Sequence, residues 1–203
     1  MLTSDLAPTR SAILQLHEEY EVVLEAYDFL DEKRLLLAAE ILRQLRQYEK
    51  LLEDYEALRQ RAERTLVATI RRHGLHGTQV YPGRYLENAD MQTTTTSFMG
   101  VTLMTTELEL PDAIEPPPVC HPSPEAESCR KLFLELTTQA AVLAGVSGNL
   151  HRLLAEYRRT ERRARVLENV VIPEMSQSLN VMSTRLEELD QEDIVRVHLK
   201  HKA

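Results

Sequence analysis

The chain has no tryptophan, and only six glycines and three phenylalanines among its 203 residues. With aromatics at 5%, a conventional globular enzyme core, built on large rings and many tight turns, is not expected. It has two cysteines, Cys120 and Cys129, with no C-x-x-C spacing between them. Neither a disulfide framework nor a standard zinc finger follows from such a pair. No G-x-x-x-x-G-K-S/T run occurs, so the chain holds no Walker-type phosphate cradle. Its longest apolar run, around Ala140–Val146, falls far short of the roughly 20 residues a membrane span needs. Asp5, Arg10, Glu18 and Glu19 interrupt any secretory leader at the start. The expectation is a soluble, cytoplasmic chain that reaches a membrane only through another protein.

What the chain does have is charge and heptads. Charged residues make up 28%, with a net charge of −8. Residues 74–130 hold eight acids against Arg84 and Arg130, or −6, which leaves −2 for the two flanking arms. An acidic chain is a poor nucleic-acid ligand, and none is expected as a partner. From Ile13 one seam reads Ile13, Tyr20, Tyr27, Arg34, Ile41, Tyr48, Tyr55, Ala62, Thr69. Its companion reads Leu16, Val23, Leu30, Leu37, Gln44, Leu51, Leu58, Thr65. Thirteen of these seventeen positions are apolar or aromatic, well beyond the three or four heptads that define a coiled coil. A second seam runs Leu143, Val146, Leu150, Leu153, Tyr157, Thr160, Ala164, Leu167, Val171. A helix this long cannot bury its stripe against itself. The nearest partner is the other arm of the same chain.

The spacing predicts three segments: a coiled-coil arm over 1–73, a hairpin and proline-rich loop over 74–125, and a second coiled-coil arm over 126–203. Thr9 is placed to cap a first helix running to about residue 72, on the order of 95 Å at the usual rise. Gly74, Gly77, Pro82 and Gly83 end it. The β-branched run Thr93–Met104 has strand character, pairing with residues near Gln79–Tyr81 or with 105–110. Six prolines between Pro111 and Pro124 make that stretch irregular, and Glu125 opens the second arm. Within that arm the seam continues past Pro173 as Met175, Leu179, Met182, Leu186, Leu189. The steps 171→175→179 are four and four, so the heptad slips at the proline. A bent helix over about 126–197 with an altered supercoil is expected, rather than a helix end. The fold class is therefore all-α dominated, a long antiparallel two-helix coiled coil with a small β-hairpin in its middle.

Each remaining motif has a plain reading that outweighs the functional one. Gly145 and Gly148, three apart on a helix, permit close packing rather than phosphate binding. His73 and His76, with Cys120, His121 and Cys129, match no zinc spacing, and histidine near a helix C-terminus is favoured by the dipole. The arginines of Arg158–Arg165 spread over several helix faces, which suits solvent or a protein partner better than nucleic acid. Arg34 on the seam either snorkels or pairs with a glutamate of the other arm. No paired carboxylates and no Ser/His/Asp or Cys/His set can be assembled. No catalytic, cofactor or metal residue is expected.

Leu167-Glu168-Asn169-Val170-Val171-Ile172-Pro173, preceded by Arg162-Arg163-Ala164-Arg165-Val166, resembles the R-R-x-N-A-L-E-x-V-x-I-P signature of the D subunit of V/A-type rotary ATPases. Met182–Leu189, with Arg185 inside it, resembles that family's I-x-x-R-L-E-E-x-E-R-E. Ala7–Ser11 and Leu30–Arg34 are similar to its P-T-+…L-L-K-x-K-R. The likeness covers about residues 6–37 and 157–197. It departs at Asp31, where the family carries a basic residue, and in the early acids Glu18, Glu19, Glu21 and Glu25. The resemblance implies a non-catalytic central shaft inside a ring of A and B subunits, with an F subunit on its side. A C subunit would link it to the membrane ring. Ion transport, of protons or sodium, would then couple to ATP turnover in the ring. The shaft's interior would be Leu16, Val23, Leu30, Leu37, Leu51, Leu58, Leu150, Leu153, Leu167, Val171, Met182 and Leu186. Its family motif would rest on Arg163, Leu167, Glu168, Pro173 and Arg185. The competing expectation is a homodimeric coiled-coil adaptor with no rotary role.

Overall fold

The computed structural model describes residues 9–81, 89–109, 119 and 121–200. Its elements are α1 (Arg10–Val80), β1 (Asp90–Phe98), β2 (Val101–Glu109), α2 (Pro124–Val166), a π-helical turn (Leu167–Val171) and α3 (Ile172–Lys200). The chain forms two compact units, Met1–Leu36 with Tyr157–Ala203, and Leu37–Glu156.

In the first unit Thr9 caps α1 as its position predicts. Its Oγ1 accepts the Ala12 N–H at 3.2 Å, and its carbonyl accepts that of Ile13 at 3.1 Å. Leu16, Thr160, Ala164 and Met182 are buried. Val23, Leu30, Leu167, Val171 and Leu186 are half-buried. That gradation is what a two-helix coil allows, because each seam residue has one facing helix and water on its flanks. Antiparallel pairing is visible at the ends, where Arg10 Nη2 meets Asp190 Oδ2 at 2.9 Å from 180 residues away. The seam closes earlier than the heptads suggest, since Leu189 is exposed. Arg34 does not pair across the coil. Its guanidinium bonds Asp31, three residues back on its own helix, a reach that leaves the opposite arm unneeded.

The heptad slip takes a definite form. Between Leu167 and Leu179 the seam carries one residue more than a regular alternation, and the turn Leu167–Val171 is wound as π-helix. Its closing bond runs from the Ile172 N–H to the Leu167 carbonyl, five residues back rather than four. A π turn takes up one surplus residue, so Met175 and Leu179 return to half-buried positions and Met182 to a buried one. It also precedes Pro173, whose ring would crowd the carbonyl of an α-helical turn and which has no N–H to donate. The proline interrupts the ladder, and the wider turn keeps the element helical through it.

In the second unit Leu37, Ala62 and Leu153 are fully buried, with Leu58, Ala141 and Val146 close behind. Leu51 and Leu150 are half-buried. The two seam threonines are satisfied locally. Thr69 Oγ1 donates to the Thr65 carbonyl and Thr65 Oγ1 to the Ala62 carbonyl, each at 2.8 Å. α1 leaves helical geometry at Gly74 (φ 72°, ψ 170°), a conformation that favours glycine, and then resumes to Val80. The long helix thus breaks at Gly74, close to its expected end, and a short further helical stretch follows to Val80. Ser123 caps α2, accepting the Ala126 N–H at 3.2 Å, and Pro124 is its first residue rather than the last of the loop. A missing N–H costs nothing at that position. Arg72 Nη1 meets Glu125 Oε2 at 2.6 Å, and His73 Nε2 lies 2.7 Å from Ser123 Oγ. The end of the first arm is thereby fastened to the start of the second.

β1 and β2 form an antiparallel hairpin in which Phe98 pairs with Val101 and Asp90 with Glu109. The two turn residues, Met99 (φ 49°) and Gly100 (φ 81°), both have positive φ, as a type I′ turn requires. The strand run of Thr93–Met104 therefore does not pair as one piece with an outside segment. It folds on itself, with Val101–Met104 joining residues 105–109 in the second strand, and Gln79 and Val80 stay helical. Val101 and Leu103 of β2 are buried, whereas β1 is exposed from Asp90 to Ser97.

Candidate functional site

The most specific side-chain geometry in the second unit lies where β2 sits on the helices. Asn149 of α2 presents its amide to the backbone of Met104. Its Oδ1 accepts the Met104 N–H at 2.7 Å, and its Nδ2 donates to the Met104 carbonyl at 2.8 Å. One side chain thus imitates a neighbouring strand. Arg152 Nη2 donates to the same Oδ1 at 2.7 Å, which fixes the amide's orientation. Two positions further along the strand, Thr106 Oγ1 donates to the Ala141 carbonyl at 2.7 Å. Gly145 makes room for it: a Cβ there would stand 2.3 Å from Thr106 Oγ1. Gly145 therefore serves close packing, as its spacing predicts, and its neighbour is a strand residue. Gly148 has only the flexible end of Arg152 nearby.

Beneath β2 lies a cleft of about 240 Å³ lined by Gln44 and Arg43 of α1, Thr96, Thr105, Val142 and Asn149 among others. Its floor is polar. Arg43 donates to Glu40 through Nε at 2.7 Å and Nη2 at 2.6 Å, and Gln44 Nε2 adds a third bond at 3.0 Å. The Arg43 hydrogen bonds hold the Glu40 carboxyl below its ordinary range, against burial, which acts the other way; Gln44 assists. Gln44 is 6% exposed, and its Oε1 has no partner among the described residues. This network supplies position, not chemistry. The His73–Ser123 contact is equally structural, since Ser123 is a buried helix cap and His73 lies against Tyr81, ring centroids 5.9 Å apart. Among the described residues no group of three or more His, Cys, Asp or Glu is placed to hold a metal ion. Cys129 is buried and free; Cys120, and so any pairing with it, lies outside the described residues.

Of the residues that carry the family likeness, Leu167 is half-buried, while Arg163, Glu168, Pro173 and Arg185 face outward. Around them Arg158, Arg159, Arg162 and Arg165 are also exposed, and of these Arg165 is paired, with Glu161 at 2.6 Å. The apolar part of the motif and its charged part therefore divide between the seam and the surface. No described helix is long and apolar enough to cross a membrane. Glu40, Thr106 and Asn149 escape the sequence reading because heptad periodicity marks apolar positions. Asn149, beside a seam leucine in an otherwise apolar turn, is the one visible signal.

The fold defines a class: a helical coiled-coil protein whose two arms belong to one chain and enclose a short hairpin. The match to known proteins makes this specific. Residues 12–201 fit the family model of the ATP synthase D subunit, and the chain belongs to that family. It is 25% identical to the V-type ATP synthase D subunit of Thermotoga neapolitana over 97% of this chain and 98% of that one. It is 23% identical to the A-type ATP synthase D subunit of Haloarcula marismortui over 97% and 86%. With the V-type ATP synthase D subunit of Thermus thermophilus it shares 25% identity over 96% and 86%.

Proposed function

We propose that this chain is the non-catalytic central-stalk subunit of a V/A-type rotary ATPase, coupling ATP hydrolysis or synthesis to proton or sodium transport. The observation that supports this reading best is the family match over residues 12–201, held by a chain whose arms pair with each other. On this reading the arms 1–73 and 126–203 are the shaft and 74–125 the end that carries the hairpin and proline-rich loop. Leu16, Leu37, Leu58, Leu153 and Met182 are its interior. Arg163, Glu168, Pro173 and Arg185 lie on the face it offers to the ring. The A and B subunits form that ring, the F subunit binds the shaft, and the C subunit joins it to the membrane rotor on the cytoplasmic side. An asymmetric rod inside a symmetric ring cannot contact every catalytic site alike, so it biases them into different nucleotide states. Their closure in turn exerts torque on the rod. The proposal is tested by purifying the tagged chain from its host and determining the stoichiometry of what accompanies it. Nucleotide-binding A and B subunits in equal number, several for each copy of this chain, are expected. Recovery of the chain alone as a homodimer would replace the shaft by an adaptor.

A further inference from the structure

The two outer edges of the hairpin are treated differently. The β2 edge is engaged by α2 at Met104, whose N–H donates to Asn149 Oδ1 and whose carbonyl accepts from Asn149 Nδ2. That bonding also fixes the alternation. Met104 and its partner Thr95 form a pair that exchanges no backbone bonds, whereas Phe98 and Val101, flanking the two-residue turn, do exchange them. Counting back along β1, Met91, Thr93, Thr95 and Ser97 all turn their N–H and carbonyl groups away from β2. None of the four makes another hydrogen bond among the described residues. β1 is exposed on both faces from Asp90 to Ser97 and holds no proline, lysine or bulge. Natural sheets guard an edge with those devices. The outward β1 residues Met91, Thr93, Thr95 and Ser97 carry no charge, and unlike β2 at Met104 no helix side chain engages their backbone among the described residues.

We propose that the outer edge of β1 is a docking site for an extended segment of a partner protein, which adds a third strand to the hairpin. The ladder dictates the occupant's backbone, since alternating N–H and carbonyl groups are matched only by another extended chain. Charge dictates part of its sequence. Asp90, Glu107 and Glu109 gather at the open end of the hairpin, Asp90 directly opposite Glu109, with no cation in ion-pair contact among the described residues. The middle of the strand, Thr93–Thr96, is uncharged. The incoming segment is therefore β-branched or uncharged along its centre, with lysine or arginine where it passes Asp90. This inference needs a partner in the assembled complex but not the shaft's rotation.

The test is residue-resolved amide hydrogen exchange on the free chain at low concentration and on the chain within the ATP synthase purified from its host. Protection is expected to rise at Met91, Thr93, Thr95 and Ser97 by about tenfold or more on assembly, while Gln92, Thr94 and Thr96 are protected in both states. The Thr95→Pro variant removes one outward N–H and no β1–β2 bond. It is expected to keep the free chain's Tm and weaken incorporation about two- to tenfold, as for one lost backbone hydrogen bond. Should that variant misfold, Asp90→Lys with Glu109→Lys tests the charge separately, with incorporation weakened and made salt-sensitive. A chain recovered with A and B subunits but with an unchanged β1 edge would overturn this inference and leave the shaft reading standing. Protection that grows with the free chain's own concentration would assign the edge to a second copy instead. A chain recovered alone would overturn both readings.

Discussion

At Gly145 the space between hairpin and helix is already filled by Thr106, so a single methyl group has nowhere to go. The Gly145→Ala variant gains helix propensity on its own, about 1 kcal/mol. Against that, the new Cβ must push Thr106 off the Ala141 carbonyl it bonds at 2.7 Å, and overpacking of this kind costs about 1–3 kcal/mol. The prediction is that the hairpin lifts: Gly145→Ala loses amide protection at Met104 while the helical CD signal is unchanged or slightly higher. Adding Thr106→Ala removes the colliding hydroxyl and should restore part of that protection. Protection intact in the single variant would mean the close approach is not what seats β2. Half of this is legible in the sequence. Small residues three apart predict a close approach whatever makes it, but the partner is 39 positions away in a strand whose turn carries no familiar signal. Met99 at a positive φ is the reason, because a type I′ turn usually shows asparagine or aspartate before glycine. Arg34 goes the other way. A charge on a seam suggests a cross-arm pair, and a local aspartate three residues back satisfies it first.

Among the elements, the π turn is where sequence and geometry agree most closely. The heptad count already contains the extra residue, and Pro173 marks its place; what periodicity cannot say is whether a bend, a break or a wider turn takes it up. The structure's answer implies an unusual response to deletion. Removing one residue from a coiled-coil arm normally rotates everything beyond it by about 100°, the angle per residue of a 3.6-residue turn, and turns the seam to solvent. Deleting Pro173 does the reverse. It brings Val171 and Met175 to three apart and restores the alternation through Leu179, Met182 and Leu186. It also removes the residue that an α-helix tolerates least, at a cost of about 3 kcal/mol in a helix interior. The expected outcome is a chain with Tm equal to or above the parent's. Deletion of Arg158, in the regular part of the same seam, should lower Tm sharply. If both deletions are equally damaging, the surplus residue is not what the π turn absorbs. On the proposed shaft reading the same variant separates structure from use: a stiffer arm with undiminished ATP turnover but reduced ion transport would tie the turn to coupling.

For the molecule as a whole, the decisive feature is that each arm finds its partner within the chain. Two rows of seam residues, one from each half of the sequence, make this the simplest pairing. The first unit joins Arg10 to Asp190 and the second joins Arg72 to Glu125. The middle stretch is less legible, because its order depends on Asn149 and Thr106 meeting their partners across distant positions rather than on any repeat. Both ion pairs are largely exposed, and such contacts contribute little to stability, so their residues can be replaced without unfolding the coil. Cysteines at 10 and 190, or at 72 and 125, in a background with Cys120→Ser and Cys129→Ala, should react with a short bis-maleimide to give one cross-linked chain. The product should migrate as a monomer, and its yield should not depend on protein concentration, because an intramolecular reaction is set by effective rather than bulk concentration. A homodimer of parallel arms would leave both pairs far apart. A domain-swapped dimer would link them between chains, with a yield that rises with concentration. The two pairs report on the two units separately. Intrachain linkage at 10 and 190 with interchain linkage at 72 and 125 would therefore show which unit opens to admit a second copy.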